Sequence, residues 1–359
     1  MVRVFVVDDS AFVRRALARI LGEQPGYQVV GEAANGLDAL ERIPRADPDL
    51  VTLDVAMPGL DGIQVLGGLL RWKPELKVIM LSVHTRHGAA ATVEALAAGA
   101  VEFIDKSAFN LMDLETLRRE VLEKVLACGG SAPAVRPRAP AAPGLSPDVA
   151  ARCELCVIGA STGGPAALQR ILERIPATFP VPMLVVQHMP AGFTRPFAAR
   201  LDALCRLDVG EAVEGEKLLP GRVRIAPAGR HLRVTTNLAV VLSEEAADAK
   251  HVPSIDLAMK SAGRARPGRV LGILLTGMGE DGAEGMVALR AGGGVTIAES
   301  EESCVVYGMP RAAWRSGGAV HVLPLPEIVA FLERLTGMAP RIPESTADMP
   351  GFHPRSAPR

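Results

Sequence analysis

The chain alternates short apolar runs with helix-forming segments, and one stretch rich in proline and alanine interrupts this alternation. Up to about residue 126 the apolar runs have the length of strands, and each is followed by a segment that favours a helix. Such alternation predicts parallel strands joined by crossover helices on both faces of a sheet. The runs in this first part are "VRVFVV", "DLVTLD", "KVIMLS" and "VEFID".

A chain of 359 residues is too long for one ordinary hydrophobic core, so we expect two domains. We predict an α/β fold with two doubly wound domains, at residues 1–126 and 152–337. Residues 127–151 contain "GGSAPAVRPRAPAAPGLSP" and predict a semi-extended linker. Residues 338–359 predict a disordered tail.

Charge and hydropathy narrow the classes of partner. The formal net charge is −1, so no overall field attracts nucleic acid or an anionic membrane. No apolar run approaches the roughly 20 residues that span a bilayer, and "MVRVFVVDDS" does not resemble a signal peptide. We therefore expect a cytoplasmic protein without membrane insertion and without a nucleic-acid partner.

Five cysteines in a chain of this size do not indicate a disulfide framework. Cys153 and Cys156 form a C-x-x-C, but they belong to a strand-like run in which residues three apart face opposite ways. No second Cys/His pair completes a zinc site. We expect buried thiols here rather than a metal or redox centre.

Polar residues follow the predicted strands of the first domain. Asp8 and Asp9 follow the first strand, and Asp54, Ser82 and Lys106 lie at the ends of later ones. The carboxyl ends of parallel strands meet at one edge of the sheet, where ligands bind. Converging carboxylates repel each other unless a cation lies among them, and Mg²⁺ prefers such oxygen ligands. Asp54 is the candidate acceptor of a phosphoryl group, because metal and lysine would offset charge on the transferring oxygens.

A simpler interpretation exists for each of these residues alone. Asp9 or Ser10, for example, could be the N-cap of the helix that follows. The joint pattern along successive strand ends is what favours a site.

The segments "VFVVDDSAFVRRAL", "LVTLDVAMPGLDGIQVL", "VIMLSVHT" and "VEFIDKS" resemble the receiver domain of two-component response regulators, which has a flavodoxin-like fold. The resemblance implies phosphorylation of Asp54 by a histidine kinase. It also implies a role for each of the following: Asp8, Asp9, Asp54 and the backbone of Val55 in holding Mg²⁺, Ser82 and Lys106 in contacting the phosphoryl group, and Phe103 as a switch aromatic.

Two positions depart from the receiver pattern. Ser107 follows Lys106 where receivers usually carry proline, which leaves the geometry of that loop open. Ala56 lacks the polar side chain that many relatives carry two residues after the phosphorylated aspartate, which leaves the lifetime of the phosphoryl group open.

A serine in the second domain lies where a strand turns into a helix. The segment from Gly159 to Gly163 matches G-x-S-x-G around Ser161, a turn that exposes a nucleophilic hydroxyl. A nucleophilic serine needs a base and an acid that orients the base. His188 and Asp281 follow two later apolar strands, so three parallel strands would deliver all three residues to one edge of the sheet.

Other interpretations of these residues are open. His188 alone could be a packed histidine, and Asp281 alone could cap the helix that follows it. The order Ser, His, Asp differs from that of an α/β-hydrolase, and neither a ribose-binding acid nor a Walker lysine supports a nucleotide site. The remaining histidines lack a comparable setting, although His251 lies near a polar stretch; they are His84, His87, His231, His251, His321 and His353.

The segments "IGASTGGP", "QHMPAGFT", "HVPSIDLAMKSAG", "LLTGMGEDGAEGM" and "VVYGMPRAA" resemble the catalytic domain of chemotaxis-type protein-glutamate methylesterases, the CheB family. The resemblance implies a Rossmann-like, mainly parallel sheet with catalytic Ser161, His188 and Asp281, and with Thr162 and Met278 beside the reaction centre. It further implies hydrolysis of glutamate γ-methyl esters on methyl-accepting chemoreceptors without a cofactor, deamidation of receptor glutamines, and activation by a CheA-type histidine kinase.

Two other classes of protein are alternatives to an esterase. A signalling adaptor would join the receiver to a second domain that only binds partners, and the intact Ser, His and Asp set argues against it. A transcription regulator would need a helix-turn-helix and a basic face, and neither is evident.

Overall fold

The computed structural model describes residues 1–83, 85–106, 114–129, 152–244 and 250–336. The chain divides into two compact units, Met1–Pro137 and Arg138–Arg359. The tail at 338–359, most of the linker at 127–151, Ser107, His84 and His353 lie outside the described residues, as does the side chain of His87.

Where the structure describes it, the first unit is one parallel sheet whose strands alternate strictly with five helices. The strands are β1 (Val2–Val7), β2 (Tyr27–Ala33), β3 (Leu50–Asp54), β4 (Lys77–Ser82) and β5 (Glu102–Asp105). The helices are α1 (Ala11–Gly22), α2 (Gly36–Ala46), α3 (Gly62–Trp72), α4 (Arg86–Ala97) and α5 (Leu114–Gly129). The strand order β2-β1-β3-β4-β5, with all neighbours parallel, is the doubly wound flavodoxin-like order and confirms the predicted fold.

Strand order reverses between β1 and β3, so a crevice opens beyond their carboxyl ends. Every residue of β3 is buried, as are the last four of β1. Helix α1 begins at Ala11 because the Ser10 side chain accepts the Val13 N–H as its N-cap. Ser10 is therefore the N-cap of α1, so the neighbouring Asp9 remains a candidate for a site in the crevice.

In its described residues, the second unit contains a larger sheet, a hairpin and six helices. The strands are β6 (Leu155–Ala160), β7 (Met183–Gln187), β8 (Asp208–Glu211), β9 (Arg222–Ile225), β10 (His231–Val234), β11 (Val240–Ser243), β12 (Val270–Leu274), β13 (Val295–Glu299) and β14 (His321–Leu323). The helices are α6 (Gly164–Leu172), α7 (Thr194–Leu204), α8 (Ile255–Ala265), α9 (Ala283–Ala291), α10 (Met309–Arg315) and α11 (Leu325–Thr336).

Seven of these strands form a sheet in the order β14-β13-β12-β6-β7-β9-β8, and every neighbouring pair is parallel. Strands β6, β7 and β12 are fully buried, which explains their uninterrupted apolar sequences. This sheet confirms the predicted Rossmann-like domain. The antiparallel hairpin of β10 and β11 was not predicted.

The order of the larger sheet reverses at β6, which has β7 on one side and β12 on the other. The crevice expected at such a switch point lies beyond the carboxyl ends of these three strands. Across the described residues, no helix has the length and apolarity that a bilayer crossing requires.

Candidate functional site

Ser161 lies in the tight turn between β6 and α6, and it is half-buried. The turn is closed by a 2.7 Å hydrogen bond from the Gly164 N–H to the Ser161 carbonyl oxygen. Gly163 has a φ of +78°, a conformation that side chains disfavour, and a Cβ there would lie 2.6 Å from the Cβ of Val305. A Cβ on Gly164 would lie only 2.1 Å from Gln187 Oε1. Glycine is therefore required at both positions.

His188 lies beside this turn, because β6 and β7 pair up to Ala160 and Gln187. The His188 N–H continues the ladder by donating to the Ala160 carbonyl oxygen at 3.0 Å. The Gln187 side-chain amide donates to the carbonyl oxygens of both Ser161 and His188, each at 3.0 Å. Gln187 therefore ties the two strand ends together, a role that its sequence position alone does not indicate.

Asp281 follows β12 and lies within hydrogen-bond distance of His188. Its Oδ2 is 2.9 Å from His188 Nε2 and accepts the Ile255 N–H at 2.8 Å. Its Oδ1 accepts the Asp256 N–H at 3.0 Å and the Ser254 hydroxyl at 3.1 Å. The carboxylate thus binds the first turn of α8, where N–H groups lack partners within the helix and the helix dipole favours a negative charge.

These contacts decide between the two interpretations of Asp281. The N-cap of α9 is Gly282, which provides no side-chain cap, so Asp281 does not cap the helix that follows it. Burial alone would raise the pKa of Asp281, but the hydrogen bond and charge of His188 and the N–H groups of Ile255 and Asp256 outweigh it and hold that pKa well below its usual range. Asp281 is therefore a carboxylate that only accepts hydrogen bonds.

The hydrogen bond to Asp281 determines which ring nitrogen of neutral His188 carries the proton. An ionised Asp281 requires the proton on Nε2, so the neutral imidazole carries its lone pair on Nδ1. Nδ1 is buried and has no hydrogen-bond partner in the described part of the chain. Nδ1 is thus the nitrogen left to accept a proton from a nucleophile, while Ser161 Oγ makes no hydrogen bond to any described residue. Catalytic contacts are often loose before substrate binds.

A second imidazole contacts the first. The rings of His188 and His251 are stacked, with centroids 4.4 Å apart and planes at 19°. From the sequence alone, His251 is distinguished only by its place near a polar stretch. Nothing in its neighbouring sequence indicates contact with His188, which lies 63 residues earlier in the chain.

The remaining expected site residues lie on the same edge of the sheet. Thr162 is almost fully buried, and its carbonyl oxygen accepts the Thr276 hydroxyl at 2.9 Å. Met278 is half-buried in the turn after β12. Their positions are compatible with a place beside the reaction centre, which stays a prediction.

In the first unit the expected acidic cluster is assembled. Asp8, Asp9 and Asp54 each offer a carboxylate oxygen within 4.8 Å of the others. Lys106 Nζ lies 2.8 Å from Asp8 Oδ2 and 2.9 Å from Asp54 Oδ2. Burial and the charge of Asp8 raise the pKa of Asp54 to about 6, against the opposing effect of Lys106. A set of hard oxygen donors with this much uncompensated negative charge fits Mg²⁺.

The other expected receiver residues surround the acidic cluster. The Ser82 hydroxyl is buried and accepts a hydrogen bond from Thr92, with 2.6 Å between the oxygens. Phe103 is buried, and Lys124 Nζ lies 4.8 Å from its ring centroid. The Val55 carbonyl oxygen accepts the Gly62 N–H at 2.9 Å, so it already has one partner. Roles for these residues in phosphoryl or metal binding stay predictions.

We expect Asp54→Asn to raise the melting temperature of the first unit at pH 7.5 in the presence of a chelator. An acid whose pKa is raised on folding stabilises the folded state below its unfolded pKa and loses that contribution as pH rises through the folded value, here about 6. Removing the charge should therefore gain up to about 3 kcal/mol at pH 7.5 and less at pH 5. Calorimetry of the full chain at both pH values measures this gain.

Asp9→Asn is the matched control, because Asp9 belongs to the same cluster but is exposed. It should change the melting temperature less than Asp54→Asn does. An Asp54→Asn protein that melts no higher than wild type at pH 7.5 would contradict the account of Asp54 as a buried, uncompensated charge.

Comparison with known proteins identifies relatives of both units. Residues 156–332 match the CheB methylesterase family, and residues 4–118 match the response regulator receiver domain family. A protein-glutamate methylesterase/protein-glutamine glutaminase of Oleidesulfovibrio alaskensis is 43% identical over 360 residues, covering 91% of this chain and 97% of its own. One from Myxococcus xanthus is 43% identical over 344 residues, covering 93% and 97%.

Among solved structures, the CheB methylesterase catalytic domain of Thermotoga maritima is 40% identical. It matches 51% of this chain and 98% of its own length, with a TM-score of 0.49. The alignments with the two relatives cover more than nine-tenths of this chain. The chain belongs to the CheB family of protein-glutamate methylesterases, in which a response-regulator receiver is joined to a methylesterase domain.

Proposed function

We propose that this protein hydrolyses the γ-methyl esters of glutamate residues on methyl-accepting chemoreceptors and is activated by phosphorylation of Asp54. The observation that carries the esterase part is the Asp281 carboxylate at His188 Nε2, which leaves the basic Nδ1 available at the strand end next to Ser161. The relatives' names supply the substrate class, and they also support deamidation of glutamine side chains.

In the first half of the reaction, Ser161 Oγ attacks the ester carbonyl carbon while His188 Nδ1 takes the hydroxyl proton. Asp281 keeps the ring oriented and stabilises the imidazolium. As the tetrahedral intermediate collapses, the C–O bond to the methoxy group breaks, and His188 returns the proton so that methanol leaves. Thr162 and Met278 would lie beside the developing oxyanion.

In the second half, water attacks the glutamyl-serine ester, and His188 again accepts and returns the proton. The products are the glutamate carboxylate and free Ser161. For a glutamine substrate the same steps release ammonia instead of methanol. No step requires a cofactor.

In the receiver, the carboxylates of Asp8, Asp9 and Asp54 would hold Mg²⁺, which would offset charge on the phosphoryl oxygens. Asp54 accepts the phosphoryl group, and Lys106 lies within ion-pair distance of it. Ser82 would contact the phosphoryl group once its hydroxyl leaves Thr92, and Phe103 would respond as the switch aromatic. The donor we propose is a CheA-type histidine kinase, acting in the cytoplasm.

We further propose that the unphosphorylated receiver inhibits the esterase. Phosphorylation needs to change the relative stability of the inhibited and active states by only a few kcal/mol. The domain limits that this proposal uses are the predicted ones, 1–126 and 152–337, joined by the linker at 127–151.

The deciding experiment measures methanol release from methylated receptor membranes of the source organism, with and without a small-molecule phosphodonor. We expect release that accelerates with the phosphodonor in wild type but not in Asp54→Asn. Unmethylated membranes are the control for background. No methanol release under either condition would reject the esterase and favour a signalling adaptor. Release at a rate that does not change with the phosphodonor would reject activation through Asp54.

A further inference from the structure

Glu299 is a fully buried carboxylate at the end of β13, and the proposed reaction gives it no step. Its Oε2 accepts the Thr276 N–H at 2.8 Å, and its Oε1 accepts the Ser303 hydroxyl at 2.8 Å. Ser303 Oγ in turn accepts the Leu325 N–H at 2.9 Å. Burial raises the pKa of Glu299, while these hydrogen bonds oppose the rise. A buried acid is costly unless its partners are held in place.

Thr276, the first partner of Glu299, contacts the nucleophile turn in two ways. Its carbonyl oxygen accepts the Ser161 N–H at 3.0 Å. Its hydroxyl donates to the Thr162 carbonyl oxygen at 2.9 Å and accepts the Val306 N–H at 3.0 Å. Every polar group of Thr276 is therefore engaged, and Thr276 joins the ends of β6, β12 and β13.

The space around this junction leaves no room for adjustment. A Cβ on Gly277 would lie 2.4 Å from Met309 Sδ, 2.8 Å from Ser161 Cβ and 3.1 Å from the Ser161 nitrogen. The Gly277 carbonyl oxygen accepts the N–H groups of Gly308 and Met309 at 3.1 and 2.8 Å. A shift of the Thr276 peptide would thus move Ser161 directly, because close-packed neighbours transmit displacement.

We propose that Glu299 is a positioning residue for the nucleophile: by fixing the Thr276 N–H, it holds the residue whose carbonyl oxygen and hydroxyl align Ser161 and Thr162. This inference rests on the proposed esterase function only for its kinetic consequence. The structural part of the inference is that Glu299, on β13, keeps the turn at residues 159–165 in its conformation, although β13 lies two strands away from β6 in the sheet.

The test compares Glu299→Leu with Glu299→Gln in the full chain. Leucine removes both acceptors, whereas glutamine keeps one acceptor oxygen for Thr276 and an amide that can donate to Ser303 Oγ. Thr296→Val is the matched control, because Thr296 is equally buried on β13 and bonds to Gly318 and Val320, at the other end of the strand. Loss of the Thr296 hydroxyl should destabilise the same sheet without removing any contact of the turn at residues 159–165.

Two readouts are measured, hydrogen exchange of the backbone amides at 159–164 and kcat with KM for methanol release. We expect Glu299→Leu to speed that exchange by roughly tenfold, since an unpaired buried N–H weakens the junction. We expect kcat to fall by about tenfold or more with little change in KM, because misalignment affects the chemical step. Glu299→Gln should restore both, and Thr296→Val should change neither even where its melting temperature falls as far.

The outcomes separate the two proposals. Equal exchange at 159–164 in Glu299→Leu and Thr296→Val overturns the inference, whatever the kinetics. Absence of methanol release in wild type rejects the proposed function, while the exchange data still decide the role of Glu299. Should Glu299→Leu fail to fold, Glu299→Met replaces it, since the unbranched methionine side chain also lacks both acceptor oxygens.

Discussion

Replacing Ser161 with alanine is expected to lower kcat for methanol release by about 10⁴-fold or more, the size of loss seen when a triad nucleophile is removed. Without Oγ no acyl-enzyme forms, and His188 would have only water to activate against an ester that is not covalently held. The hydroxyl makes no hydrogen bond to a described residue, so its removal should leave the free energy of unfolding within about 0.5 kcal/mol of the wild-type value.

The measurement is methanol production under steady-state conditions, with the melting temperature recorded for each variant. Ser316→Ala is the control, because within the described residues that hydroxyl bonds only to the Ala313 carbonyl oxygen at the end of α10. A Ser161→Ala protein that retains a tenth of wild-type turnover would show that another group is the nucleophile. Loss of turnover accompanied by a large loss of stability would instead indicate that Ser161 supports the fold.

Replacing Asp281 with asparagine is expected to lower kcat by about 10⁴-fold, because the amide cannot hold His188 in the required tautomer. Unlike Ser161, Asp281 should also affect stability. Each carboxylate oxygen accepts a backbone N–H, from Asp256 at one oxygen and Ile255 at the other. The amide NH₂ therefore opposes a buried N–H in either orientation, which costs on the order of 1–3 kcal/mol.

This stability loss should depend on pH with a definite sign. The pKa of Asp281 is depressed in the folded protein, so its ionised form adds stability above the unfolded pKa and loses it as pH falls through the folded value. The difference in melting temperature between wild type and Asp281→Asn should therefore be full at pH 7 and shrink only in strong acid, below about pH 4.

Asp208→Asn is a suitable control, since Asp208 is a partly exposed carboxylate of the same sheet that pairs with Arg222 and Arg224 away from the triad. It should lower stability slightly and leave kcat unchanged. Turnover within about tenfold of wild type in Asp281→Asn would contradict the assignment of Asp281 as the orienting acid.

The fold and the outline of the site could be predicted from the sequence because both depend on strand ends. A buried parallel strand has an uninterrupted apolar run, and the first polar residue after it lies at the binding edge. Asp54, Ser161 and His188 were located in this way. Asp281 follows a longer turn after β12, and its partners come from α8, which the sequence does not connect to it.

The residues that were missed act through contacts between distant segments. Gln187 lies on a strand that could have ended in any polar residue, and only the pairing of β6 with β7 turns its amide toward Ser161. Glu299 resembles any other acid at a strand end. The hairpin of β10 and β11 has two four-residue strands, too short for a periodicity to distinguish from loop.

The contacts of Asp281 have a consequence for how this family loses activity over evolutionary time. A descendant recruited for binding alone would be free to drift at Ser161, whose hydroxyl makes no hydrogen bond to any other residue that the structure describes. It would keep Asp281, because the start of α8 depends on that carboxylate whether or not His188 is used. In surveys of related genomes, an intact aspartate therefore indicates a folded domain, and the serine is the position that separates enzymes from inactive paralogues.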